Sequence, residues 1–257
     1  VGMAHLQGFG SLEGGIRTKG ELYDYLRTTA KRTVFLNADN AHLRGIVEGL
    51  ERVCYGQVCD ADIRGEVVAC DPYLRFRWRR GEGEWHAVAT QLIGSYNIDN
   101  ALCAATVGCY FGIPEREVTD ALAAYTPQNN RSQLTPTAHN MLVVDAYNAN
   151  PTSMRAALDN FARMEVPRKM VILGEMRELG ADSLAEHQRI IYTLGSLDIK
   201  EIWLVGKEFQ GTNTLTLPIP HTLFKDVEQV KAHLSSTPLS NHTILIKGSN
   251  GTKLFEL

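Results

Sequence analysis

The chain has little cysteine, a small net charge and no long apolar run, and each shortage excludes a class of protein. Its five cysteines, an odd count without a paired metal spacing, indicate reduced cytosolic thiols rather than a disulfide-stapled secreted scaffold. A formal net charge of −3 argues against a general nucleic-acid binder. Apolar runs such as residues 141–144 fall far short of the roughly 18–20 residues that span a membrane. What remains is an ordinary globular composition, 44% hydrophobic and 21% charged.

Phosphate-binding glycine motifs are also missing. The nearest approach to a P-loop is Gly206-Lys207-Glu208, which lacks both the hydroxyl residue after the lysine and the leading glycine. Gly8-Phe9-Gly10 fails the dinucleotide fingerprint because Glu13 stands where the third glycine belongs. We therefore expect no nucleotide cradle within the chain itself. The chain opens at Val1 rather than at a methionine, and we expect it to be a piece of a longer protein.

The first half of the chain mixes helices with a hairpin pattern. Periodicity predicts a short buried strand over 33–37 and helices over 16–29, 95–110 and 114–125. Between them, residues 62–92 alternate apolar and polar side chains, with Gly81-Glu82-Gly83 as a hairpin turn.

The second half alternates strands with helices. Strands are predicted over 141–146, 169–174, 201–205 and 243–247, and helices over 152–164, 183–197 and 226–234. This alternation predicts βαβ units, a mostly parallel sheet and an α/β fold. The breaker cluster at 127–130 is the best linker candidate, so we expect domains at 1–127 and 128–257.

Ligands of open parallel sheets bind beyond the carboxyl ends of the strands. Here those ends are three polar segments punctuated by glycine or proline: residues 145–151, 174–180 and 247–251. We expect them to line one crevice. Single members also have structural interpretations, since Asn150 before Pro151 is a good helix N-cap and Glu178 suits a solvated loop.

Four polar residues in the first half stand out by their position. Lys19 falls within the apolar stripe that positions 16, 22, 23 and 26 form, where a lysine must snorkel, pair or lose its charge. His5 suits either a core position or a ligand role. Asn97 and Asn100, at i and i+3 on one helix face, indicate a ligand, although Asn97 also suits a cap.

Several segments resemble the Mur ligase family. They are Ala4-His5-Leu6, Gly8-Phe9-Gly10-Ser11, Thr18-Lys19-Gly20-Glu21, residues 94–100, Arg131-Ser132-Gln133, residues 145–151 and residues 173–180. The resemblance covers nearly the whole chain. It implies the later part of a central ATP-binding domain over 1–127 and a C-terminal Rossmann-like ligase domain over 128–257. Asn250 departs from the family pattern, which usually has arginine after Lys247-Gly248-Ser249.

The resemblance implies roles for individual residues. His5 matches a metal-associated histidine and Lys19 a lysine that is carbamylated in related ligases, so both are expected to bind Mg²⁺. With Arg131, they form the expected catalytic set. The residues implied to bind the nucleotide are Asn97 and Asn100 at the adenine, Arg131 at the phosphates, Asp145 at the ribose or Arg131, and Tyr147. The residues implied to face the incoming substrate are Asn148, Asn150, Lys247 and Ser249.

The implied activity is that of an ATP-dependent amide ligase in cytoplasmic peptidoglycan synthesis. It joins D-alanyl-D-alanine to UDP-MurNAc-tripeptide through an acyl phosphate, using ATP and Mg²⁺. A monomer without nucleic-acid partners or membrane insertion is expected, and without a P-loop the chain alone is expected to be inactive. Three alternatives stay open: another Mur-type amide ligase that resembles folylpolyglutamate synthase, an inert ligand-binding fragment, and an unrelated Rossmann-like regulator.

Overall fold

The computed structural model describes residues 11–29, 33–128 and 133–257. These residues form two compact units, one that ends at Thr126 and one that begins at Pro127. Each unit is built on its own sheet, with five strands in the first and six in the second, and carries helices of its own. The α/β class predicted from the sequence is confirmed.

The first unit combines parallel and antiparallel strands in one sheet. Its elements are α1 (Leu12–Arg27), β1 (Val34–Asn37), α2 (Ala41–Ile46), β2 (Arg52–Gly56), β3 (Ile63–Cys70), β4 (Tyr73–Arg80), β5 (His86–Ile93), α3 (Ile98–Tyr110) and α4 (Glu115–Ala124). The strands follow the order β1-β2-β3-β4-β5. β1, β2 and β3 run parallel, whereas β3, β4 and β5 form the antiparallel meander that the alternation over 62–92 predicted. α2 and β2 were not predicted.

The core of the first unit lies between the antiparallel strands and α3. Leu74, Phe76 and Trp78 of β4 are buried, and the arginines between them are exposed. Leu102 and Ala105 of α3 belong to the same buried cluster. Because burial of a large apolar side chain stabilises by roughly 1.5–3 kcal/mol, this packing fixes where the start of α3 lies on the sheet.

Helix α1 differs from its prediction at its beginning and in its buried face. It begins at Leu12, because the Oγ of Ser11 caps it by accepting the Gly14 N–H at 3.0 Å. Lys19 and Leu22 are exposed, so the prediction of an apolar stripe through position 19 was wrong. The packed residues of α1 are Tyr23 and Leu26, which contact the cluster around β1. Periodicity predicts which side chains share a face of the helix. It does not predict how many turns of that face are covered by neighbouring elements.

The second unit is an alternating α/β domain. Its elements are β6 (Gln133–Pro136), β7 (Met141–Asp145), α5 (Pro151–Arg163), β8 (Lys169–Gly174), α6 (Ser183–Leu194), β9 (Glu201–Val205), α7 (Lys207–Gln210), β10 (His221–Phe224), α8 (Val227–Ser236) and β11 (Thr243–Lys247). The strand order is β10-β9-β8-β11-β7-β6, and only the β6–β7 pair at one edge is antiparallel. The mostly parallel sheet is confirmed. β6 and β10, both edge strands of four residues, were not predicted.

The centre of the second sheet brings three strand ends to one level. Every residue of β8 and β11 is buried, as their uninterrupted apolar runs require. In register, Lys247 at the end of β11 faces Asp145 of β7 on one side and Leu173 of β8 on the other. The three segments that follow these strands therefore begin next to one another. Among the described residues, no helix has the length and apolar character to cross a membrane.

Candidate functional site

A buried ion pair joins the ends of β7 and β11. The Nζ of Lys247 lies 2.6 Å from Oδ2 of Asp145, with 2% and 15% of the two side chains exposed. The same ammonium donates to the carbonyl oxygen of Asn148 at 3.4 Å. The sequence interpretation placed both charges near a ligand but did not pair them. Lys247 holds the Asp145 carboxylate and the segment after it in place.

Ser249 joins the segment after β11 to the segment after β8. Its N–H donates to the carbonyl oxygen of Glu175 at 3.3 Å, and its Oγ accepts the N–H of Arg177 at 2.9 Å. Ser249 is buried, and its carbonyl oxygen accepts from the hydroxyl of Thr252 at 2.7 Å. The structure thus brings the three strand-end segments together, as the crevice hypothesis predicts.

Glu175 places a second carboxylate at this edge. Its side chain is 10% exposed, its Oε2 accepts the N–H of Glu208 at 3.3 Å, and its Oε1 lies 3.4 Å from Nε of Arg177. Gly206, at φ +116°, makes room for it, because a Cβ there would lie 2.5 Å from Oε2. The carboxylate is therefore held between the ends of β8 and β9.

His187 of α6 supports the same segment and was missed by the sequence interpretation. Its ring is fully buried, with Nε2 accepting the Met176 N–H at 2.9 Å and Nδ1 donating to the Ser183 carbonyl oxygen at 2.7 Å. Burial lowers the pKa of His187. A neutral ring protonated at Nδ1 satisfies both bonds. Helical periodicity places this residue on the buried face of α6 but gives no sign of its contact with Met176.

The segment after β7 divides into a cap and an exposed part. The Oδ1 of Asn150 accepts the Ser153 N–H at 2.9 Å, and the Ser153 Oγ accepts the Asn150 N–H at 3.1 Å, which forms a capping box at the start of α5. Tyr147 and Asn148 are exposed. The cap interpretation of Asn150 holds, and its expected contact with substrate stays a prediction.

Asn97 and Asn100 lie together where α3 begins. Nδ2 of Asn100 donates to Oδ1 of Asn97 at 3.0 Å, and Nδ2 of Asn97 donates to the carbonyl oxygen of Ile93 at 2.8 Å. Asn97 is buried and forms no side-chain cap, whereas Asn100 is exposed. Asn97 therefore orients Asn100, whose amide oxygen has no donor among the described residues. The pair fits the adenine role implied by the resemblance, which stays a prediction.

Two carboxylates at the same end of the first sheet were missed. Asp39, just beyond β1, accepts the N–H groups of Gln57 and Val58 at 2.7 and 3.2 Å, beyond the end of β2. Burial raises the pKa of Asp99, at the start of α3. The polar Asn-Ala-Asp sequence at the end of β1 was the sequence signal that could have indicated Asp39.

A separate cavity of about 320 Å³ lies between β2, β3 and α3. None of the predicted site residues lines it.

The metal prediction rests on few described residues. The described part of the chain contains no group of three His, Cys, Asp or Glu side chains that could hold a metal ion. Lys19 is exposed on α1, whereas His5 and Arg131 lie outside the described residues. The described residues therefore do not by themselves fit a Mg²⁺ site, which stays a prediction.

Two family models match the chain. Residues 1–108 match the Mur ligase middle domain, and residues 130–250 match the Mur ligase, glutamate ligase domain. The UDP-N-acetylmuramoyl-tripeptide–D-alanyl-D-alanine ligase of Mycobacterium leprae is 34% identical over 235 residues, covering 80% of this chain and 45% of that protein. The Escherichia coli ligase of the same name is 28% identical over 260 residues, covering 99% and 57%. The chain thus spans about half the length of the curated relatives it matches.

Solved structures share the fold over the full chain. MurF from Acinetobacter baumannii superposes with a TM-score of 0.82 at 23% identity, covering 100% of this chain and 57% of that one. MurF ligase from Thermotoga maritima in complex with ADP gives the same TM-score at 19% identity, covering 99% and 58%.

Proposed function

Since this chain belongs to the Mur ligase family, we propose that it forms part of an ATP-dependent ligase that joins D-alanyl-D-alanine to UDP-MurNAc-tripeptide. The ligases of M. leprae and E. coli that carry these substrates in their names support the proposal. The ADP complex of the T. maritima protein supports a nucleotide at the same fold. A monomeric, cytoplasmic enzyme of peptidoglycan synthesis remains part of the proposal.

The proposed chemistry explains why the site is polar and divided among several segments. The tripeptide carboxylate is a poor electrophile, so ATP first transfers its γ-phosphoryl group to it. The amine of the dipeptide then attacks the acyl carbon, phosphate leaves with the electron pair of the broken C–O bond, and the amine loses a proton. Such transfers depend on alignment and charge stabilisation more than on covalent catalysis.

The described residues supply positioned polar groups for this chemistry. Asn100, oriented by Asn97, offers an amide to the adenine. Asp145, held by Lys247, offers a carboxylate to the ribose or to Arg131. Within the second unit, the exposed side chains of Tyr147 and Asn148 follow that carboxylate in sequence, and we propose that they face nucleotide or dipeptide.

One observation supports the location of the proposed binding site. The hydrogen bonds of Ser249 and Lys247 connect all three segments at the carboxyl ends of the strands, the position at which open α/β sheets bind ligands.

Selective binding of the incoming nucleophile tests the proposal. We would titrate the isotope-labelled chain with D-alanyl-D-alanine, D-glutamate and meso-diaminopimelate and follow amide resonances by NMR. Saturable shifts of residues 145–151, 174–180 and 247–252 with the dipeptide alone are expected. Preference for either amino acid would favour another Mur-type ligase, and shifts with none of the three would contradict the proposed substrate.

The absence of a P-loop motif favours one second candidate, an inert ligand-binding chain. It predicts the same binding without turnover. Because neither candidate predicts turnover by the 257-residue chain alone, the two differ in whether a protein that combines this chain with a phosphate loop ligates D-alanyl-D-alanine.

A further inference from the structure

Arg177 lies where two of the strand-end segments meet. Its main-chain N–H donates to Oγ of Ser249 at 2.9 Å. Its guanidinium lies directly over Gly251, because a Cβ at Gly251 would overlap it. The absence of a side chain at Gly251 therefore allows the guanidinium to pack against its backbone. The segment after β8 thus places a cation next to the segment after β11.

Only one edge of this guanidinium is used. Glu175 is its ionic partner among the described residues, and the contact is to Nε, with Oε1 at 3.4 Å. The side chain is 53% exposed. Among the described residues the two terminal nitrogens have no carboxylate partner, and Nη1 is the guanidinium atom nearest to Gly251. A guanidinium with unpaired N–H donors can bind a carboxylate in a fork geometry.

The other cations at this edge are less suited to an incoming anion. Lys247 is buried and neutralised by Asp145. Lys253 lies 3.9 Å from Glu256. Lys207 is exposed on α7, but it has no contact with Ser249 or Gly251 that would tie it to the joined segments. Asn250, beside Gly251, brings no charge. Of these described cations, Arg177 alone contacts both the segment after β8 and the segment after β11.

We infer that Arg177 is a specificity-determining residue whose free guanidinium edge binds the terminal carboxylate of the incoming dipeptide. This inference rests on the proposed function. A peptide carboxylate, with an ordinary pKa of about 3.3–3.7, is ionised at neutral pH, so an exposed guanidinium can bind it through charge-assisted hydrogen bonds. Binding the carboxylate fixes which end of the dipeptide faces the acyl phosphate. It also makes dipeptides whose carboxyl group is blocked bind more weakly.

The test compares D-alanyl-D-alanine with its C-terminal amide, using the full chain and NMR titration. Wild type is expected to bind the dipeptide about tenfold more tightly than the amide, because a charge-assisted bidentate contact is lost. Arg177→Gln should weaken dipeptide binding about tenfold and leave amide binding unchanged, and Arg177→Lys should fall between them. Gly251→Ala, which displaces the guanidinium without removing it, should also weaken binding of the dipeptide only. Lys207→Gln removes the same charge from the same edge and should leave both affinities unchanged.

The outcomes separate this inference from the proposed function. If wild type binds the dipeptide and Arg177→Gln binds it equally well, the role of Arg177 is wrong and the proposed substrate stands. An equal affinity of wild type for dipeptide and amide would likewise overturn the role of Arg177 and leave the substrate in place. If wild type binds neither compound, both proposals are overturned.

Discussion

Lys247 and Asp145 form an ion pair in which both side chains are largely buried from solvent. Removing one partner of such a pair leaves the other charge buried and uncompensated, which typically costs about 3–5 kcal/mol. Lys247→Ala is therefore expected to lower the free energy of unfolding of the second unit by about 3 kcal/mol. Denaturant-dependent hydrogen exchange of the β8 and β11 peptides measures it.

A surface pair provides the matched control. Lys200 lies 2.5 Å from Asp198, with 70% and 62% of the side chains exposed. Lys200→Ala should leave the exchange of the same peptides almost unchanged, since solvent screens exposed pairs. Equal losses in the two variants would contradict a special role for the buried pair.

His187 makes the stability of the second unit depend on pH. Burial lowers the pKa of its ring in the folded state, although Glu208, Glu175 and Glu186 nearby act in the opposite direction. In the unfolded chain the ring titrates near its ordinary pKa of about 6.5. Below that pH the unfolded state binds more protons, so stability falls as pH falls from about 6.5 towards the lowered pKa, by at most about 1.4 kcal/mol per pH unit.

His187→Gln separates this titration from the hydrogen bond. A glutamine oxygen can still accept the Met176 N–H but takes up no proton. Unfolding measured between pH 5 and 7.5 should therefore show a shallower pH slope in His187→Gln than in wild type. Parallel slopes would mean that other groups cause the dependence. His187→Leu, which keeps no acceptor, should lose stability at every pH.

Substitutions of Asn150 distinguish its role as the N-cap of α5 from a role in binding substrate. Its side chain and Ser153 form both bonds of the capping box of α5. Asn150→Ala should reduce stability by about 1 kcal/mol, whereas Asn150→Asp should keep most of it. If Asn150→Asp is as stable as wild type but binds D-alanyl-D-alanine more weakly, the amide contacts substrate as well. Unchanged stability in Asn150→Ala would contradict the cap.

Elements with strong local patterns were predictable from the sequence. β8, β9 and β11 have the predicted bounds, because a strand buried on both faces is a continuous apolar run. The start of α5 was also readable, since Asn-Pro is a cap signature. β10, an edge strand with two exposed residues, has no such run. Its partner β9, not its own composition, makes it a strand.

The site was predictable only in its location. Strand ends give the three segments, but their connections depend on pairs distant in sequence, such as Arg177 with Ser249 and Lys247 with Asp145. No local pattern contains such pairs. The exposure of Lys19 could not be predicted for the same reason, because it depends on which turns of α1 pack against other elements.

At the scale of the whole molecule, the missing phosphate loop leads to a prediction about catalysis. The 257-residue chain, supplied with ATP, Mg²⁺, UDP-MurNAc-tripeptide and D-alanyl-D-alanine, should release no phosphate above a protein-free control. Phosphoryl transfer requires donors around the transferred group, and the chain has no glycine-rich motif to provide them. Dipeptide-dependent phosphate release, followed by a colorimetric assay, would contradict this prediction.

The two units should also unfold separately, because each has a hydrophobic core of its own. Leu102 belongs to the cluster between β4 and α3, and Ile246 to the cluster within the second sheet. Leu102→Ala and Ile246→Ala should each cost about 2–5 kcal/mol, but only in the unit that holds the residue. Hydrogen exchange resolved by peptide distinguishes the two units in one experiment. Acidification to pH 5.5 should then add to the loss in the second unit, where His187 lies, more than in the first. A loss shared by both units in either variant would show that they unfold as one.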